Sequence, residues 1–388
     1  MSDLGLIHNL HGQYDLALKV GELSKTLAEK FEKRSLRHKA RSFHLIANYN
    51  FIWNRHINEI AETNEEGFIA SMNSGELIFA GYTNFHSFFN KFYSGSVNLE
   101  EIKSGLPDAI RFNESILMDL ALDALICLEM VINTLTGVNK NPLEFKSDRF
   151  NEAEFIAFCQ DKKDFYGLAT LYTYKACSLY INGYYHEAQE AIQKAYEFVA
   201  PFIGSMVHFP TLKFYEALIG YQLVDSEKDN KELHTKLDEI IALFENWSVP
   251  GKANIEHKMF LLKAERFRVL KKTNEAKEYY TNAVNSAKEN GFLQNEAIAH
   301  ELLGRLWLAE RNEIYGNVHI ERASVNYYQW GANTKYESLK NEFPQIFANR
   351  IVGGITDKQR ERGYEEYYSG SFDDKTLIIA SQVLAEGF

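Results

Sequence analysis

A short pattern of small, aromatic and apolar positions recurs along this chain. A glycine is followed two positions later by Tyr or Leu and five positions later by Ala, each time after an apolar stretch with helical spacing. Glycine readily ends a helix in a left-handed turn, and a small Ala lets the next helix lie close to the one before it. The pattern therefore predicts helix–turn–helix hairpins. Its clearest copies are Gly12 with Ala17, Gly75 with Ala80, and Gly183 with Ala188.

The spacing of these copies indicates a stacked array. Gly12 and Gly183 are 171 residues apart, which is close to five units of roughly 34 residues, the length of a tetratricopeptide repeat. Gly75 does not fall on this grid, so irregular units or insertions intervene. Because a repeat hairpin cannot bury its apolar face alone, it must stack on its neighbours. We therefore predict an all-α fold, an α-solenoid of tetratricopeptide-like helix hairpins.

Two later units depart from the pattern at the turn. One contains Ala276 and the other contains Gly304, but Lys271 and Arg311 stand where the turn glycine is expected. These turns must close differently, or must hold a side chain in the left-handed region at some energetic cost.

The repeat pattern extends over residues 1–345, with sub-blocks 1–104, 105–200 and 201–345. Residues 346–388 are predicted to form a connector and a C-terminal helix, capped by Asp373 or Asp374 and ending near Ala385. Within the array, residues with Pro and Gly predict turns between helices. These positions are 105–107, 141–142, 200–201 and 249–251.

Composition and charge narrow the class of protein. Of the 388 residues, 45% are apolar and 24% are charged, which is typical of a folded chain. The net charge of -11 repels a phosphate backbone, so nucleic acid is not an expected partner. The most apolar segment, residues 116–135, carries three acidic side chains and predicts a helix facing the core rather than a membrane insertion. No export-type segment opens the chain, so a cytoplasmic location is expected.

Motifs that carry chemistry are not found in the sequence. It has no phosphate-binding loop, dinucleotide fingerprint, zinc-hydrolase motif or serine-nucleophile elbow. No catalytic residue, metal ligand or cofactor is therefore predicted, and a hydrolase with an unrecognised site is the weakest reading. Cys127, Cys159 and Cys177 are spaced too widely for a paired-thiol motif or a zinc ribbon and are expected to be buried free thiols.

Surfaces that bind partners are predicted from topology alone. In arrays of this type the first helix of each pair lines the concave side. The resulting candidate contacts are Asn48, Tyr49, Arg55, Tyr172 and Lys175. Paired aromatic residues such as Phe88 with Phe89 are interpreted as packing between repeats.

Particular segments resemble the repeat region of very large bacterial signalling proteins. Those proteins carry a Ser/Thr kinase-like domain, an AAA or STAND-type ATPase, tetratricopeptide-like repeats, a GAF domain and a histidine kinase. The segment that resembles the end of their repeats covers residues 307–344 and includes Trp330, Gly331 and Ala332. The segment around residues 370–382 is similar to the helix that leads into their GAF domain. The kinase, ATPase and phosphoacceptor motifs of the family are not found in this sequence.

Two functional readings follow. The resemblance implies a non-catalytic protein-interaction and signal-relay module that binds a protein or peptide, such as an ATPase, GAF or histidine kinase domain. The alternative is a free-standing, peptide-responsive tetratricopeptide regulator. Those regulators begin with a separate effector domain, whereas a repeat unit begins here by Leu4.

Overall fold

The structure is a computed structural model that describes residues 1–147, 150–198, 206–224 and 231–347. Within these ranges the regular structure is helical, without a β-strand, and successive helices pair as hairpins. The predicted all-α solenoid of helix hairpins is confirmed. The helices are α1 (Ser2–Leu10), α2 (Tyr14–Lys30), α3 (Leu36–Leu45), α4 (Ile60–Ser74), α5 (Leu77–Ser94), α6 (Leu99–Ser115), α7 (Asp119–Thr136), α8 (Glu152–Lys162), α9 (Phe165–Ile181), α10 (Tyr185–Phe198), α11 (His208–Leu223), α12 (Lys231–Ser248), α13 (Lys252–Val269), α14 (Thr273–Glu289), α15 (Leu293–Ala309), α16 (Glu313–Trp330) and α17 (Asn333–Glu342).

The turns between paired helices have the predicted left-handed backbone. Gly12, Gly75 and Gly183 have φ angles of 71°, 73° and 86°. In the two units without a turn glycine, Lys271 and Arg311 adopt the same region, with φ angles of 57° and 62°. The second of the two possibilities for these turns is therefore confirmed: a side chain is held in the left-handed region.

Small residues let the paired helices approach each other. A Cβ atom added at Gly304 in α15 would lie 3.0 Å from the carbonyl oxygen of Gly316 in α16, closer than side chains normally come. The turn after α16 also uses a left-handed glycine, Gly331, next to the buried Trp330. The alanines of the repeat pattern are fully buried, namely Ala17, Ala80, Ala188 and Ala276.

One predicted turn is wrong. Residues 105–107 lie inside α6, with Pro107 in its middle, although proline removes a hydrogen bond from a helix interior. The neighbouring Leu106 and Ala109 are buried, so packing of this side of α6 outweighs the local cost. Residues 141–142 and 249–251 do lie between helices, as predicted. The turn at 200–201 and the whole predicted C-terminal helix fall outside the described residues.

Contacts group residues 1–336 into one compact unit and residues 337–388 into a second. Only 337–347 of the second unit are described. The predicted boundary at residue 345 and the three sub-blocks before it stay predictions.

The apolar segment 116–135 corresponds to α7, and most of its side chains are buried within the first unit. This helix contacts α5, α6 and α9. Among the described helices, none combines the length and the apolar character that crossing a membrane requires.

Candidate functional site

Alternate helices α9, α11, α13 and α15 form a row, called here the inner row, and α5 packs against it. Phe85, Phe89 and Tyr93 follow one another at intervals of four residues along α5, so they share one face of the helix. All three are buried. An amphipathic helix laid into a groove presents its anchors with this spacing. Here the helix that covers the inner row belongs to the same chain.

Each helix of the inner row contributes at least one contact to this face of α5. The Tyr93 hydroxyl donates to the Asn254 carbonyl oxygen at 3.4 Å, and the Gln294 amide donates to the Tyr93 carbonyl oxygen at 2.7 Å. The ring pairs are Phe85 with Tyr166 at 6.2 Å and Phe89 with His208 at 4.8 Å. At the end of α5 a Cβ atom on Gly95 would lie 1.5 Å from Oε1 of Gln294, so the left-handed glycine there permits the close approach.

A single amide joins the segment after α3 to α13. Asn254 is 1% exposed, and its Nδ2 donates to the carbonyl oxygens of Ile52 and Arg55 at 2.9 and 2.8 Å. Its Oδ1 accepts from the backbone N–H of Ile57 at 3.0 Å. Three backbone groups outside regular α-helix are thus hydrogen-bonded by one side chain about two hundred positions later in the sequence. These bonds stabilise the contact between the segment after α3 and α13.

Three histidines lie buried near α5. His44 and His86 have ring centroids 5.4 Å apart, and Nε2 of His208 lies 3.2 Å from the Tyr166 hydroxyl. Burial lowers the pKa of His44 and that of His208 to about 3. Burial, with the neighbouring His44 and His208, lowers the pKa of His86 well below its usual value. These side chains are therefore neutral at pH 7 and act as packed rings, and His44 and His208 also lie within hydrogen-bond distance of Thr83 and Tyr166.

A buried lysine lies next to Asn254. Nζ of Lys258 donates to the Asn254 carbonyl oxygen at 3.2 Å and lies 3.1 Å from Nε2 of His257. It also lies 4.2 Å from the ring centre of Tyr93 and 4.5 Å from that of Phe292. Burial lowers the pKa of Lys258 well below its usual range. This arrangement could not be predicted from the sequence, because its members come from α5, α13 and the turn before α15.

The five predicted contact residues already have partners within the chain. Asn48 is buried and its Nδ2 donates to Asn64 at 2.8 Å. Arg55 pairs with Glu22. Lys175 forms an ion pair with Glu152 at 2.5 Å.

The other two predicted contact residues are aromatic. Tyr172 is 6% exposed, and burial raises the pKa of Tyr49 above its usual range. Asn48, Tyr49 and Arg55 follow α3, whereas Tyr172 and Lys175 belong to α9. Contact of any of the five with another protein stays a prediction.

Potential metal ligands meet where α7, α8 and α9 come together. One ligand atom from each of Asp123, Cys159 and Asp164 lies within 4.8 Å of the others. All three cysteines are free and buried, as predicted, but the acidic surroundings of Cys159 were not predicted. Asp164 follows Cys159 by five residues in the turn after α8, but Asp123 comes from α7, and no local spacing connects it to the other two.

The first hairpin exposes apolar side chains. Leu4, Ile7 and Leu10 of α1 are 45 to 48% exposed, and Leu16 and Leu23 of α2 are 44 and 49% exposed. We call these five residues the first-hairpin face. Apolar groups exposed together are typical of protein interaction sites.

Comparisons with known proteins add no relative. A scan of the chain against models of protein families gave no match, and a search of curated proteins gave none either.

Proposed function

We propose that this chain is a non-catalytic protein-interaction and signal-relay module of a bacterial system that links an ATPase to a sensor kinase. The observation that carries the proposal is the first-hairpin face, which exposes Leu4, Ile7, Leu10, Leu16 and Leu23 at the end of a helical stack. A helical element with its own apolar face is the partner that fits such a surface, because hairpins of this fold bury apolar groups by stacking.

A relay also needs mechanical continuity behind the docking surface. Nδ2 of Asn9 in α1 donates to the Tyr49 carbonyl oxygen at 2.6 Å, and the Tyr14 ring of α2 lies 5.5 Å from Trp53. Trp53 in turn lies 5.5 Å from Trp247 of α12. A displacement of the first hairpin would therefore act on packed rings that reach into the second half of the unit. Stacked repeats add small rotations of this kind into larger changes.

The arrangement of α5 favours this reading over a peptide-responsive regulator. A peptide bound to the inner row would compete with Phe85, Phe89 and Tyr93, which already contact all four of its helices. The first-hairpin face is not covered in this way, and we assign partner binding to it.

Binding assays on matched variants test the proposal. The partners to present are ATPase, GAF and kinase domains encoded by neighbouring genes, purified separately. Replacement of Leu4 and Leu23 by Asp is expected to abolish capture of the partner. Ile69 and Ile78 are 50 and 59% exposed on α4 and α5, so their replacement by Asp introduces the same charges elsewhere and should leave capture intact. The proposal fails if the unmodified chain captures none of these domains, or if both variants bind equally well.

A further inference from the structure

The group formed by Asp123, Cys159 and Asp164, called here the carboxylate–thiol cluster, has the chemistry of a metal site. Asp123 projects from α7, Cys159 from the last turn of α8, and Asp164 precedes α9 as its N-cap. The Cys159 side chain is fully buried, and Asp123 is 6% exposed. The one ligand atom that each provides lies within 4.8 Å of the other two.

The hydrogen bonds of Asp164 leave one of its two carboxylate oxygens without a partner. Oδ1 accepts the backbone N–H of Gly167 at 2.9 Å, which is the capping bond of α9. Oδ2 is buried without a hydrogen-bond partner among the described residues. An unpaired buried oxygen is costly. Ligand atoms of Asp123 and Cys159 lie within 4.8 Å of one on Asp164, so a positively charged species among them would offset the charge of the two carboxyl groups.

Two species meet that need: a proton shared between the two carboxyl groups, and a divalent cation. Burial and then the Asp164 carboxylate raise the pKa of Asp123 to about 7. Burial and then the two carboxylates raise the pKa of Cys159 to about 12, so the thiol keeps its proton when no metal is bound. The shared proton accounts for the two oxygens. It does not account for a thiol placed beside them.

A thiolate with two carboxylates is a donor set suited to zinc. Zinc binds sulfur and carboxylate oxygen at about 2.3 and 2.1 Å in tetrahedral geometry, which places its ligand atoms about 3.4 to 3.7 Å apart. The present separations reach this range with movements on the order of 1 Å. Calcium and magnesium prefer more ligands, all of them oxygen. The cluster supplies three ligands, so a fourth would have to come from water.

We propose that Asp123, Cys159 and Asp164 bind one zinc-class divalent cation, which fastens α7 to the junction of α8 and α9. On binding, the Cys159 thiol proton and the proton shared by the two carboxyl groups are released to solvent, and the thiolate and the two carboxylates coordinate the metal, so no other reactant is required. The site is independent of the first-hairpin face and of any signalling role.

Cobalt(II) titration of the full chain, prepared free of metal, tests the proposal. Cobalt in place of zinc reports thiolate coordination by a charge-transfer absorption band. The unmodified chain is expected to bind one equivalent, to show this band, to lose it on addition of zinc and to unfold at a higher temperature with zinc. Cys159→Ser should lose the band and bind at least about 10-fold more weakly.

Two further variants separate the cluster from its surroundings. Asp164→Asn retains a capping oxygen for Gly167 and should fold, but should weaken binding by a similar factor. Cys177→Ser removes a buried thiol that donates to the Thr173 carbonyl oxygen within α9, outside the cluster, and should leave the band unchanged. If Cys159→Ser does not fold, the metal affinity of Asp164→Asn, compared with that of the unmodified chain, shows whether the cluster binds the metal.

Several results would overturn the proposal. One is the absence of both band and binding heat in the unmodified, folded chain, which leaves the shared proton as the explanation. Another is a band that persists in Cys159→Ser or disappears in Cys177→Ser, since the metal would then be bound elsewhere.

Discussion

The regular hairpins of the second half and the irregular segment after α3 satisfy their buried polar groups in different ways. In α13–α14 the Tyr280 hydroxyl donates to Glu265, and in α15–α16 the Tyr327 hydroxyl donates to Glu301 at 3.0 Å. Each of these two pairs lies within one hairpin, although Lys335 of α17 also donates to Glu301, and Gln222 of α11 to Glu265. Residues 46–59 instead pass through a π turn and two short 3-10 turns, and their free backbone groups depend on Asn254 of α13.

This difference shows which buried polar groups are paired close in the chain and which depend on residues far away in the sequence. A hairpin that satisfies its own buried groups can stack wherever a neighbour offers an apolar face. The free backbone groups of the irregular segment are hydrogen-bonded only when residues 46–59 pack against α13. We therefore expect variants in the two regions to differ in size of effect and in which part of the chain opens.

The largest effect is expected for Glu301→Ala in a regular hairpin. Glu301 is buried and accepts from Lys335 at 2.7 Å and from Tyr327 at 3.0 Å. Lys335 is 5% exposed, so the variant leaves a buried cation without its carboxylate. The free energy of unfolding should fall by about 3 to 5 kcal/mol, measured by urea denaturation. Glu289→Ala, at an exposed position of α14, is the control and should change it by less than about 0.5 kcal/mol. Equal effects of the two variants would contradict the assigned role of Glu301.

Asn254→Ala tests how the irregular segment after α3 is held. It removes three hydrogen bonds and leaves the Ile57 N–H buried without a partner. We expect a loss of about 2 to 3 kcal/mol in the free energy of unfolding. Limited proteolysis should also cut near residues 51–57 before it cuts the hairpins α13–α16.

The matched variant is Asn182→Ala, because the Asn182 amide makes one hydrogen bond to the Ser178 carbonyl oxygen at the end of its own helix. It should cost less than about 1 kcal/mol and create no new cleavage site. If Asn254→Ala lowers the free energy of unfolding no more than this control does, the Asn254 amide does not hold the irregular segment against α13.

Acidification tests the buried histidines beside α5. Their pKa values are lowered in the folded state, whereas the unfolded chain takes up protons near pH 6.5. The unfolded state therefore binds more protons as the pH falls below 6.5, and folding stability declines towards pH 3. Between pH 7 and 5.5 each of His44, His86 and His208 should cost about 1 kcal/mol.

His44→Asn should reduce this loss by the share of one histidine when urea unfolding is followed at both pH values. His38→Asn makes the same replacement at an exposed position within α3 and is the control variant. A stability that is constant between pH 7 and 5.5 would contradict the burial of these rings.

The smallest expected effect is at the turns. Lys271→Gly relieves a left-handed side chain and should raise the free energy of unfolding by about 0.5 kcal/mol, since the cost of the strain exceeds the extra entropy of glycine. Gly12→Ala places a Cβ in the same conformation, with no atom within 4 Å to clash with it. It should lower stability by about 1 kcal/mol. Changes of the same sign in the two variants would show that the turn conformation does not control these hairpins.

Features that depend on neighbouring positions could be predicted from the sequence. The turn at Gly12 and the helix approach at Ala17 are such features, since spacing alone encodes them. Pro107 misled the prediction because a local rule was overridden by packing around Leu106. In the carboxylate–thiol cluster, Asp123 lies 36 residues before Cys159 on another helix, and Asn254 meets its partners from far along the chain. A single sequence contains no periodicity that connects such positions.

The account rests most directly on α5 as the permanent cover of the inner row. Hydrogen exchange of the folded chain, followed by mass spectrometry on peptides from α5, α9 and α13, measures this. We predict that the backbone amides of residues 85–94 exchange as slowly as those of α9 and α13, because all of them are released only when the unit unfolds. Exchange of residues 85–94 well ahead of α9 and α13 would contradict the account, since the inner row would then open to partners in the folded protein.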